Sequence, residues 1–99
     1  MPARKRPEGA TKQQSQRIHA MRRALERFEV SLTRAQYNLL VDQIQQKQAE
    51  MVLTISNRLT IYRLALDGRE AHALYDKRRH TIVTFLLPEW TQQDLLEET

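Results

Sequence analysis

Leu59-Thr60-Ile61-Tyr62-Arg63-Leu64-Ala65-Leu66-Asp67-Gly68-Arg69-Glu70-Ala71-His72-Ala73-Leu74-Tyr75 has the pattern of a β-hairpin. Two runs rich in β-branched, leucine and aromatic residues flank Asp67-Gly68, a pair suited to the positive φ angles of a two-residue hairpin turn. The stretch therefore predicts two antiparallel strands, Leu59 to Leu66 and Glu70 to Tyr75. On either side, Met51 to Ser56 and Thr81 to Leu87 have the same character. Asn57 is placed to turn the first pair of strands. The charged run Asp76-Lys77-Arg78-Arg79-His80 makes the tip of the third connection and reads as a solvated turn. Pro88 lacks a backbone N–H and closes the last strand. Four consecutive strands predict a four-stranded antiparallel sheet.

Upstream of residue 50 the period is helical. Ile18, Met21, Leu25 and Phe28 fall on one stripe with Ala24, while His19, Arg23 and Arg27 follow an i, i+4, i+8 line on the other side. Arg22 and Glu26, four apart, are spaced to pair on the surface. Thr33-x-x-Gln36 matches a capping box, with Leu32 and Tyr37 at the positions of a hydrophobic staple. Tyr37, Leu40, Val41 and Ile44 then recur at helical spacing. Helices are expected at about residues 12 to 28 and 34 to 48. The fold class is α+β, two N-terminal helices packed on one face of the sheet. Ile18, Met21, Leu25, Phe28, Leu40, Val41 and Ile44 should face it.

Ninety-nine residues, 40% of them hydrophobic, make one small domain. It is placed at residues 11–88, between a disordered basic arm (1–10) and an acidic C-terminal tail (89–99). The net charge of +4 is unevenly spread. Arg4, Lys5, Arg6, Lys12, Arg17, Arg22, Arg23 and Arg27 crowd the first segment, whereas Glu89, Asp94, Glu97 and Glu98 mark the last. A cationic lobe of this kind suits a polyanionic partner. Absence of cysteine excludes a disulfide framework and a thiolate metal site. The longest apolar run, Ile82 to Leu87, is far too short for a bilayer. A cytoplasmic protein without membrane contact is expected. There is no Gly-rich phosphate loop, zincin helix or nucleophile elbow, and no cofactor or metal is expected. His72 and His80, eight apart across a hairpin, read as surface histidines. Tyr62 and Tyr75 read as core aromatics, and Trp90 as part of a tail packing back on the domain.

His19-Ala20-x-x-Arg23-x-x-Glu26-Arg27, Ser56-Asn57-Arg58, Tyr75-Asp76 and Thr81-Ile82-Val83-Thr84-Phe85-Leu86 carry a resemblance. Over roughly residues 15 to 88 the chain resembles small bacterial and phage domains related to the RelE, barnase and colicin-nuclease group of metal-independent ribonucleases. The resemblance implies helices on a curved antiparallel sheet, in agreement with the reading above. It also implies a toxin-like or phage endoribonuclease acting on RNA through a basic cleft, with His19 and Thr84 at the catalytic positions and Tyr75 as a further candidate. Arg22, Arg23, Arg27, Arg58 and Arg63 would hold the nucleic acid. Where the resemblance implies a glycine after the second helix, this chain has Gln46-Lys47-Gln48-Ala49.

Metal-independent RNA cleavage needs one proton removed from a ribose 2′-hydroxyl, another delivered to the leaving oxygen, and extra phosphoryl charge stabilised. Histidine, with an ordinary pKa near ~6.5, suits the proton transfers. Arginine suits the charge because its planar fork can bind two phosphate oxygens. The alternative from another class is a non-catalytic phage or regulatory protein that binds and modulates a host protein or nucleic acid. Toxin-like ribonucleases are often held by an antidote, so the partners to consider are RNA and an antidote or host protein.

Overall fold

The computed structural model describes residues 11–90; the arm and most of the tail singled out above lie outside the described residues. Two helices, α1 (Lys12–Phe28) and α2 (Arg34–Gln45), precede four strands, β1 (Glu50–Thr54), β2 (Leu59–Leu66), β3 (Arg69–Asp76) and β4 (Thr81–Leu86). The strands form one antiparallel sheet in the order β1-β2-β3-β4. The fold is α+β, with the helices on one face of the sheet.

Each helix starts at a complete capping box. The Thr11 hydroxyl accepts from Gln14 N–H while Gln14 reaches back to Thr11 N–H, and Thr33 and Gln36 repeat the arrangement. Leu32 packs into the same cluster as Tyr37, as the staple reading required. α2 stops at Gln45, short of the expected residue 48. Lys47 takes a left-handed conformation (φ 61°), its N–H bonds Ile44 C=O at 3.1 Å, and Gln48 N–H bonds Gln43 C=O at 2.8 Å. These two bonds define a Schellman end, with lysine where glycine is the usual choice. In the central hairpin Asp67 and Gly68 both have positive φ (52° and 82°), the turn for which their sequence was read.

The core joins Phe28, Tyr37, Leu40, Val41 and Ile44 to Leu64, Leu66, Ala71, Ala73, Ile82 and Phe85. Strand alternation puts these sheet residues on one face. Ile61, Leu74 and Leu86 lie on the other, packed with Leu59, Val83 and Trp90. A bulge between the Leu74–Thr84 and Tyr75–Ile82 pairs inserts Val83 into β4, so Val83 and Thr84 both belong to the second face.

The face that α1 turns to the sheet differs from the expected one. Ile18 and Leu25 are both 53% exposed, whereas Gln16, Ala20, Ala24 and Phe28 are buried. Two alanines on the contact line let the helix lie close against β4, and buried Gln16 is satisfied there. Its amide nitrogen donates to Asp76 at 3.2 Å, and its carbonyl oxygen accepts from the Thr81 hydroxyl. Rotation of the helix brings the His19, Arg23 and Arg27 line from the supposed solvent side to the flank beside the sheet, where all three are half-buried.

Both helices also seal the outer edge of β4. Tyr37 Oη accepts from Ile82 N–H and donates to Ile82 C=O, both at 2.8 Å, and Arg27 donates to Phe85 C=O at 2.9 Å. The β1 edge is short and bulged, and exposes Met51, Val52, Leu53 and Ile55.

Candidate functional site

One flank of α1 and the sheet face away from the helices enclose a cleft of about 320 Å³ lined by Lys12, Ser15, Gln16, His19, Arg58, Leu59, Leu74 and Val83. Helical spacing explains the first four: residues 12, 15, 16 and 19 occupy one side of two turns. The sheet supplies the floor through alternate residues of β2, β3 and the β4 bulge. Arg58 enters from the β1–β2 turn, whose shape is fixed by the Ser56 hydroxyl accepting from Arg58 N–H (3.2 Å) and Leu59 N–H (3.1 Å).

Asp76 ties these elements together. Its side chain is fully buried. It accepts from Arg78 N–H (2.9 Å), Arg79 N–H (3.2 Å), the Arg79 guanidinium (3.2 Å) and Gln16, and Arg58 Nε stands 3.4 Å away. Burial pushes this carboxyl up, but Gln16, the Arg79 backbone and side chain and the Arg58 charge together hold it below its ordinary value. The anion thus fixes Arg58, α1 and the β3–β4 turn in one geometry.

The structure unites some of the sequence-derived residues and separates others. His19 and Arg58 line the same cleft. Thr84 is on the same sheet face, opposite Leu74, and its hydroxyl accepts from Arg27 at 3.4 Å. Arg27 also lies 4.3 Å over the Trp90 ring, which packs back against the second face. Tyr75 is on the helix-covered face. There it accepts from Gln45 at 3.1 Å and meets Tyr62 edge-on at 6.0 Å, and burial is the main cause of its raised pKa. The sheet stands between Tyr75 and the cleft. Arg63 is held by Glu50 and Glu70, whose two carboxylates offset its charge. Arg23 pairs with Glu26 at 2.6 Å, in place of the Arg22–Glu26 pair expected from spacing, and Arg22 is exposed. His72 approaches Glu70 (3.4 Å), while His80 sits in the β3–β4 turn near Tyr75 Oη (3.5 Å). Among the described residues no cluster of three or more His, Cys, Asp or Glu side chains could hold a metal, and no helix is long and apolar enough to cross a membrane.

Sequence reasoning missed Lys12, Ser15, Gln16 and the role of Asp76. Lys12 and Ser15 precede His19 by seven and four residues, so the helical line through His19 already contained them. Asp76 was visible as an Asp two residues before a turn N–H, a common turn-building arrangement. No protein-family model matches the chain, nor does any curated protein or solved structure.

Proposed function

We propose that this chain is a metal-independent endoribonuclease whose centre is the cleft between α1 and the β1–β2 turn. The observation that carries the reading is the meeting of His19 and Arg58 in one cleft, with Lys12 beside them. His19 takes the proton of a ribose 2′-hydroxyl. The 2′-oxygen then bonds to the adjacent phosphorus and the P–O5′ bond breaks, leaving a 2′,3′-cyclic phosphate. Arg58 stabilises the charge gathered on the phosphoryl oxygens. The leaving 5′-oxygen takes its proton from the Lys12 ammonium, the other proton carrier lining the cleft. Thr84, fully buried, and Arg27, bonded to Phe85 C=O, brace α1 against β4 and do not line the cleft. Tyr75 has no place in this reading.

The test is incubation of the purified protein with end-labelled RNA in excess EDTA, beside His19→Ala. Cleavage by the parent and none by the variant is expected, with both proteins folded at the assay temperature. Equal cleavage by both would place the chemistry elsewhere. Binding without cleavage by either would favour the non-catalytic alternative.

A further inference from the structure

Arg58 faces two hollows at once. Beyond the His19 cleft, the tips of the β1–β2 and β3–β4 hairpins enclose a second, open hollow of about 470 Å³ lined by Asn57, Arg58, Lys77 and Arg78. Both hollows are on the scale of a small-ligand site, roughly 300–1,000 Å³. The tips are bound to each other, since Lys77 N–H donates to Arg58 C=O at 2.8 Å. They are also anchored from beneath, because Asp76 accepts from Arg78 N–H and Arg79 N–H, and Gln13 of α1 donates to Arg79 C=O at 2.8 Å. The turn's backbone is therefore held in place while Lys77 and Arg78 remain exposed. The carboxylate at the root of the turn is buried and occupied by Arg79, Gln16 and Arg58, so it does not offset the charge of the two outward cations.

We infer that the paired tips form a phosphate subsite, continuous with the cleft through Arg58, that holds the backbone of unpaired RNA next to the scissile bond. This rests on the ribonuclease reading for its choice of RNA. The preference for a single strand follows from the chemistry, because a 2′-oxygen must swing in line with the leaving 5′-oxygen and a base-paired A-form strand resists that motion. Asn57 adds a neutral amide donor and acceptor for a sugar or base edge. A turn that seemed only solvated in the sequence thus acquires a ligand, because the fold sets Lys77 and Arg78 beside Arg58.

The experiment compares His19→Ala, which binds without cutting, with the same protein also carrying Lys77→Ala and Arg78→Ala. Affinity for an unstructured RNA oligonucleotide is measured across a salt series. Losing two phosphate contacts should lower the slope of log K against log salt by about 1.4, at roughly 0.7 per contact on single strands. Affinity near 0.15 M salt should fall about ten-fold, and Lys77→Arg with Arg78→Lys should restore it. With His19 present, the alanine pair should raise KM more than it lowers kcat. An unchanged slope and affinity would overturn the subsite even if the parent cleaves RNA. A lowered slope in a protein that never cleaves would retain the subsite and sink the catalytic reading. No RNA binding by the parent would overturn the inference.

Discussion

Tyr37 and Asp76 show how single polar groups fix this small domain. The Tyr37 phenol is pushed up to about 12, chiefly by burial, so it stays neutral and serves Ile82 as both donor and acceptor. Tyr37→Phe should cost about 2 kcal/mol in denaturant unfolding, because both Ile82 backbone groups lose their partner. The pH dependence has a definite sign. A neutral form favoured in the native state gives stability that is full below the ordinary value of 10.0 and lost as pH rises toward 12. Unfolding at pH 10 to 12 should show a decline of about 2–3 kcal/mol that is absent from Tyr37→Phe. Asp76 has the opposite sign. Its lowered carboxyl contributes above the ordinary carboxylate range and loses that contribution as pH falls through its native value. Asp76→Asn should cost about 1–3 kcal/mol at pH 7, measured by thermal unfolding, with a difference that shrinks below about pH 4.

At the scale of elements, strand alternation, the Asp67-Gly68 turn and the Thr33 capping box were legible because each depends on residues close in sequence. The orientation of α1 was not. Its largest apolar residues, Ile18 and Leu25, suggest a face, but close approach to β4 favours Ala20 and Ala24, and Gln16 finds partners only after β3 and β4 are in place. The same rotation explains why His19 appeared remote from Thr84 on a helical wheel, although both serve one side of the sheet. Lys47 occupies a left-handed position, so Lys47→Gly should stabilise the protein by about 1 kcal/mol. Gly68→Ala should destabilise by about 1–2 kcal/mol through its φ alone, since a Cβ there meets no neighbour within 4 Å. Melting temperatures of the two variants, shifted in opposite directions, check both.

For the whole molecule, topology gathers cations that the sequence scatters. The β1–β2 and β3–β4 turns lie at one end of the sheet because Leu59 pairs with Asp76, and α1 begins at that same end. Lys12, Arg58, Lys77 and Arg78 meet only through this closure, which is why the charge count suggested a polyanionic partner but singled out no surface for one. His19 and Arg58 were named from sequence, while strand alternation puts Tyr75 on the opposite face and Glu50 and Glu70 hold Arg63. Whether the His19–Arg58 cleft directs a ribose 2′-hydroxyl at its neighbouring phosphorus is decided by end-group analysis in EDTA. An unstructured RNA should be cut to fragments ending in 2′,3′-cyclic phosphate, and its 2′-O-methyl counterpart should bind but remain intact. Cleavage of the 2′-O-methyl strand, or saturating binding of the RNA without any cyclic phosphate product, would rule out 2′-hydroxyl attack in this cleft.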